Sequence, residues 1–308
     1  MKVAAMIVVV LLVAAVAGAA WLYTPDRSRA ALEAVYLQSP GDYLEVAGLR
    51  LHVRDSGPKD GPTLVMLHGF GSSLHTWEPW AQALADRNRV IRFDLPGFGL
   101  TGADPTGDYS DARGVAVLEA LLDRLGVRRA SLIGNSLGGK IAWIFAVQHP
   151  ERVDRLVLIS PDGFASPGFE YGKPAEVPAM VKLMRYALPK AMLRSSLVPA
   201  YGDPAAMTDA LATRYYELML APGVREAMIA RLEQVRLADP EPLLRRIQAP
   251  TMLLWGEKDG MIPVANAQDY LRLLPDARLQ VLPGLGHVPH EEAPAVALAP
   301  VRVFLGGE

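Results

Sequence analysis

The chain has 308 residues, 31 basic and 33 acidic side chains for a formal net charge of −2, and no cysteine. The missing cysteine excludes disulfides, thiolate metal sites and a cysteine nucleophile, and the mixed charge, without a basic block or stripe, argues against nucleic acid as a partner. With about 150 residues per domain as a prior, the length allows one large domain carrying an inserted subdomain behind an N-terminal extension.

After Met1 and Lys2, residues 3–23 are uncharged and mostly aliphatic, and about 20 such residues cross a bilayer as a helix. Residues 1–24 therefore read as a transmembrane anchor, with Trp21 and Tyr23 suited to the headgroup layer. The alternative is a signal peptide cleaved near Ala17-Gly18-Ala19, although the apolar region of such peptides normally runs about 7–15 residues. The first reading gives a membrane-anchored protein with its domain outside the cytoplasm; the second gives a secreted one. Residues 25–42 read as stalk helix and linker. Thr24-Pro25-Asp26 supplies a capping hydroxyl and a first-turn proline ahead of a helix over 29–37, and Ser39-Pro40-Gly41-Asp42 breaks the chain.

Residues 43–53 alternate around Gly48 as a hairpin does. Buried strands are predicted at 64–67, 90–93, 130–133 and 156–159, separated by helices over 76–85, 111–125 and the run after residue 136. Strands alternating with helices argue for an α/β class: a mostly parallel central sheet with helices on both faces. From 163 to 248 no strand is predicted, only helices over 177–188, 204–220 and 224–236; alternation resumes at Thr251. The chain thus divides into a first core segment (43–162), a helical insert (163–249) and a second core segment (250–308). An insert leaving the carboxyl ends of the strands roofs whatever lies there. Its methionines (Met180, Met184, Met192, Met207, Met219, Met228) are adaptable fillers, suited either to core packing or to the lining of an acyl pocket.

Gly134-Asn135-Ser136-Leu137-Gly138 follows a short apolar run and opens a helix, the setting in which G-x-S-x-G forms a sharp strand-to-helix turn that exposes the serine hydroxyl. Residues without a β-carbon on either side let the flanking backbone crowd together, and the helix starting at Leu137 aims unpaired N–H groups at developing negative charge. Downstream, the apolar strand Met252-Leu253-Leu254-Trp255 leads to Asp259 in a turn. A second alternating strand breaks into Gly284-Leu285-Gly286-His287. Serine, aspartate and histidine follow one another in the chain, each just past a predicted strand.

His68-Gly69-Phe70-Gly71, Asp94-Leu95-Pro96-Gly97-Phe98-Gly99, Gly134 to Gly139, Gly256 to Asp259 and Gly286-His287 together carry a resemblance to the α/β-hydrolases of the capped serine esterase and lipase type. It runs from about residue 43 to the C-terminus. The resemblance implies that Ser136 attacks a carbonyl carbon, that His287 takes its proton, and that Asp259 orients the imidazole. It also implies an oxyanion hole from the backbone N–H groups of Leu137 and Phe70, in loops shaped by His68, Gly69, Gly71, Gly134 and Gly138.

The implied activity is cleavage of carboxylic esters with apolar acyl groups, a small-molecule ester or lipid being the partner and no cofactor or metal being called for. A neutral histidine base predicts activity falling below about pH 6–7. Rival readings exist for single residues: Asp162 as the acid, His290 as the base, a rim residue or one packed behind the site, Asp94 as organiser of its glycine-rich loop, His52 on a hairpin strand, and His75 and His149 at helix ends. Two alternative functions stand beside ester cleavage. The elbow is also similar to that of hydrolases cleaving C–C bonds in ring-fission products, although those usually carry tryptophan where this chain has Val288. A non-catalytic binding protein on the same fold is the other.

Overall fold

A computed structural model describes residues 2–165, 170–173 and 175–306; residues 1, 166–169, 174, 307 and 308, which fall in the expected anchor, insert and C-terminal core segment, lie outside the described residues. Helix α1 (Lys2–Leu22) has 21 residues, about 31 Å at 1.5 Å per residue. None of the described residues of Ala5–Leu22 is buried, and the length and composition of the stretch suit a membrane span or a signal sequence.

Helix α2 (Arg29–Tyr36) is capped by Ser28, whose Oγ accepts the Ala31 N–H at 3.3 Å. The sequence pattern points to Thr24 as the start, but the Thr24 groups are engaged elsewhere: its N–H donates to Tyr186 O (2.8 Å) and its hydroxyl accepts the Leu188 N–H (3.1 Å). The segment expected as stalk and linker is in fact docked. Leu32 is fully buried in the main core, Arg29 donates to Leu100 O at 2.7 Å, and Asp26, Arg27 and Tyr36 bond Arg225, Leu220 O and Glu217. An amphipathic helix with one apolar stripe buries it where it can.

Eight strands form one sheet: β1 (Tyr43–Val46), β2 (Leu49–Ser56), β3 (Thr63–Leu67), β4 (Arg89–Phe93), β5 (Ala130–Asn135), β6 (Val153–Ile159), β7 (Thr251–Gly256) and β8 (Ala277–Leu282). Their order is β1-β2-β4-β3-β5-β6-β7-β8. β1 and β2 form an antiparallel hairpin, β2 pairs antiparallel with β4, and the remaining pairs are parallel. Ala47 and Gly48 both take positive φ (52° and 80°), the turn whose twist matches a hairpin.

The helices of the core are α3 (Glu78–Leu84), α4 (Asp111–Arg124) and α5 (Leu137–Gln148). Between β6 and β7 the described residues form α6 (Ala179–Lys182), α7 (Lys190–Leu197), α8 (Asp209–Met219), α9 (Val224–Gln234) and α10 (Glu241–Leu244), with 3-10 turns and one isolated bridge, Tyr171 to Leu237. After β7 come α11 (Ala267–Leu273), α12 (Pro289–Glu292) and α13 (Pro294–Leu305). Strand alternation assigns the layers: Leu64 and Met66 of β3 face a core with Trp80 and Leu298 from α3 and α13, whereas Val65 and Leu67 face one with Leu118 and Phe145 from α4 and α5.

The chain leaves β3 toward β4 on one side and β5 toward β6 on the other. At such a switch point the loops diverge and open a crevice beyond the carboxyl ends of the strands. Phe70 and Ser136 lie in those two loops.

Candidate active site

Ser136 is the residue between β5 and α5, at φ 51° and ψ −116°. A non-glycine residue there costs about 1–3 kcal/mol and persists only where its surroundings fix it. Those surroundings are tight backbone bonds: the Ser136 N–H donates to Ile159 O (3.0 Å), and its carbonyl accepts the Lys140 and Asp162 N–H groups (3.0 and 3.1 Å). Close approach also explains the flanking glycines. A Cβ on Gly134 would stand 2.4 Å from Gly138 O, and one on Gly138 would stand 2.2 Å from Leu67 O. The helix begins at Leu137 although Gly138 and Gly139 are poor helix formers, because tertiary packing overrides propensity.

Asp259 follows β7 and His287 follows β8, and His287 Nδ1 and Asp259 Oδ2 are 2.8 Å apart. The other oxygen, Oδ1, accepts the N–H groups of Met261 and Ile262, each at 2.8 Å. Burial pushes the Asp259 carboxyl pKa up, but the His287 bond and charge and the Ile262 N–H outweigh it and hold it below the usual carboxylate range. An anionic carboxylate on Nδ1 sets the imidazole tautomer so that Nε2 is free to accept a proton. Asn135 adds a tie that sequence pattern does not reveal: its Nδ2 donates to Ile159 O (3.2 Å) and to His287 O (3.0 Å), joining the serine turn to the histidine loop.

Ser136, Leu137, Phe70 and His287 line one cavity of about 260 Å³, walled elsewhere by Phe164, Leu232, Val235 and Ile262. Among the described residues neither the Phe70 nor the Leu137 backbone N–H has an acceptor. Two unpaired donors beside a serine can bind an oxyanion. Gly69 and Gly71 bring the first of them close: a Cβ on Gly69 would lie 2.8 Å from Asn135 Oδ1, and Gly71 has φ 72°. His68 is fully buried with Nδ1 2.7 Å from Gly69 O and Nε2 accepting the Leu95 N–H at 2.9 Å. Burial lowers its pKa, which keeps it neutral.

A line of charge borders the cavity. Arg231 bonds Asp111 and Tyr109 O, Asp111 pairs with Lys140 at 3.0 Å, and Lys140 lies 3.9 Å from Asp162. Burial raises the Asp111 pKa, but Lys140 and Arg231 outweigh it and keep the carboxyl low. Asp162 and Arg231 both contribute to the cavity wall. These contacts join residues remote in sequence, so no local pattern announces them.

The structure separates the rivals. The carboxylate bonded to His287 is Asp259; Asp162 points to Lys140. Of the places expected for His290, the structure takes the one behind the site and not the rim: it is 1% exposed, its ring stacked 4.1 Å from Trp77 and its Nε2 3.1 Å from Thr76 Oγ1. That burial pulls its pKa down to about 3. Asp94 does gather its loop, accepting the Leu74 and Leu100 N–H groups (both 2.7 Å) and facing His52 Nδ1 at 2.7 Å. None of the six methionines lines the cavity. Met207, Met219 and Met228 are core, Met180 and Met192 are exposed, and Met184 packs at the edge.

The comparisons agree with this architecture. The sequence pattern of the alpha/beta hydrolase fold matches residues 62–294. The 2-hydroxy-6-oxo-6-phenylhexa-2,4-dienoate hydrolase of Burkholderia cepacia is 30% identical over 250 residues, 79% of this chain and 86% of that protein. The structure of the meta-cleavage product hydrolase of Pseudomonas fluorescens IP01 superposes with a TM-score of 0.74 at 25% identity, covering 86% of this chain and 97% of that one. A bacterial membrane phospholipase A superposes with a TM-score of 0.71 at 28% identity, covering 99% of this chain and 98% of that one. By fold and by sequence, the chain is a hydrolase and belongs to the α/β-hydrolase fold family.

Proposed function

We propose that the chain is a serine hydrolase of uncharged, apolar acyl esters, anchored by α1 and capped by the insert 163–249. Ser136 Oγ attacks the ester carbonyl while His287 accepts its proton, Asp259 holds the imidazolium, and the Leu137 and Phe70 N–H groups bind the oxyanion. His287 then returns the proton to the departing alcohol, and water repeats the sequence to free the acid. The observation that carries the ester reading is the charge pattern of the cavity wall. An anionic substrate entering there meets cations already paired, Arg231 with Asp111 and Lys140 with Asp111 and Asp162, whereas an acyl chain meets Phe164, Leu232 and Val235. Likeness to the membrane phospholipase A over 99% of this chain, its N-terminal helix included, supports the same reading.

The second reading, C–C cleavage of ring-fission products, has the greater support from named relatives and less from the site. Val288 stands where those enzymes usually carry tryptophan, and a dienoate anion has Asp162 as neighbour.

The test uses the full chain in detergent with p-nitrophenyl esters of graded acyl length beside 2-hydroxy-6-oxo-6-phenylhexa-2,4-dienoate, comparing wild type with Ser136→Ala. Ester turnover that vanishes in the variant is the expected result. Turnover of the dienoate alone installs the second reading, and turnover of neither removes both.

A further inference from the structure

Residues 177–197 contain Lys182, Arg185, Lys190 and Arg194 and no acidic residue. The same segment leaves Met180, Leu183, Tyr186 and Met192 69%, 52%, 57% and 60% exposed. Single exposed apolar side chains are ordinary, but several on one segment fringed by cations mark a docking surface. Their carboxylate partners are exposed, Glu233 at 2.7 Å from Lys182 and Asp209 at 3.8 Å from Arg194, while Lys190 donates to Thr213 Oγ1 (2.7 Å) and Arg194 also to Met207 O (2.9 Å). Such pairs hold their members weakly.

What covers this face follows from where the N-terminal helix ends. Thr24, two residues past α1, is hydrogen-bonded through its N–H and its hydroxyl to Tyr186 and Leu188 within the segment. The end of a helix of bilayer-spanning length is thereby fastened beside the apolar patch. The patch also adjoins the cavity, because Glu233, which Lys182 grips, sits on α9 next to the lining residue Leu232.

We infer that the face bearing Met180, Leu183, Tyr186 and Met192 rests on the anionic surface of the bilayer that α1 enters, its cations meeting lipid headgroups. This sets the α9 edge of the cavity beside a source of acyl chains. The inference rests on reading α1 as a retained anchor.

Because the chain has no cysteine, Leu183→Cys in the full chain accepts a single environment-sensitive fluorophore. Asp60→Cys, on the exposed turn between β2 and β3, is the control at the opposite end of the sheet. The proteins are reconstituted into vesicles of neutral phosphatidylcholine, with and without anionic phosphatidylglycerol, and floated.

The expected result is a blue-shifted Leu183→Cys emission in anionic vesicles that weakens in high salt, where the screening length falls to about 3 Å at 1 M, with no shift at Asp60→Cys. Floating protein whose Leu183→Cys emission stays aqueous overturns the docking face and leaves the anchor standing. Protein that does not float overturns both. A shift that ignores lipid charge and grows with the protein-to-lipid ratio assigns the face to a second copy of the chain and overturns the inference. The readout needs no turnover, so it stands apart from the outcome of the ester assay.

Discussion

The backbone N–H of His287 donates to the carbonyl of Ala200 at 2.7 Å, so the candidate base hangs from the helical insert between β6 and β7. Glu292 closes the junction. Its carboxylate accepts the N–H groups of Gly202 (3.1 Å) and Asp203 (2.8 Å) from the insert and of Gly286 (2.8 Å) from the histidine loop. Glu292→Ala leaves three donors without that acceptor and is expected to cost about 2 kcal/mol of stability. A loosened imidazole is expected to lower kcat roughly 10- to 100-fold with KM for a short ester little changed. Thermal melting and steady-state kinetics check the two effects; unchanged kcat would show that the junction does not position His287.

Asp259→Asn removes the anion that selects the His287 tautomer and is expected to lower kcat about 10⁴-fold. Asp162→Asn is expected to leave neutral-ester turnover close to wild type and to improve the relative kcat/KM for a carboxylate-bearing substrate. Assaying both variants on a neutral and an anionic ester of equal acyl length decides between the two acids.

Glycines near the serine turn and glycines in open turns respond differently to a methyl group. Gly138→Ala drives a Cβ to within 2.2 Å of Leu67 O and 2.6 Å of His68 O, backbone that cannot yield. Its loss should exceed the ordinary range of about 0.5–3 kcal/mol. Gly107 has φ 67° and nothing within 4 Å of its Cβ position, so Gly107→Ala should cost only the backbone term, about 1–2 kcal/mol. Denaturant unfolding of the two variants gives the comparison.

Two buried histidines tie stability to acidity. Burial lowers the pKa of His290 to about 3 and that of His75 to about 4, against about 6.5 in the unfolded chain. Between those values the unfolded chain binds the proton and the folded one does not, so stability falls as pH drops from about 6 to 4. Each histidine contributes roughly 1.4 kcal/mol per pH unit. His290→Asn should flatten the slope by that amount in unfolding titrations across this range; an unaltered slope would mean that the folded state protonates His290 as readily as the unfolded one.

The sheet is legible in the sequence because each buried strand is a short apolar run and each loop beyond it carries glycines. Gly134 and Gly138 are dictated by backbone contact, which is why their pattern around Ser136 can be read without coordinates. Docking of residues 24–36 is not legible, since Leu32 is the one fully buried side chain of a short helix and its partners lie far along the chain. Asn135, Glu292 and the Arg231–Asp111–Lys140 line escape for the same reason. Polar residue types common on any surface acquire their roles only when remote segments meet. Sequence pattern leaves His290 open between the rim and the layer behind the site, because the packing against Trp77 that buries it bridges α12 and the turn before α3.

The N-terminal helix is fastened to Tyr186, Leu188 and Leu220 through the six residues that follow it, and only beyond these, through Leu32 and Arg29, does the chain reach the sheet domain. Along the chain, the helix is therefore joined to the helical insert before it is joined to the sheet. His287 is itself hydrogen-bonded to Ala200 of the same insert, so one stretch of chain between β6 and β7 carries both the first attachment of the N-terminal helix and a backbone hold on the candidate base.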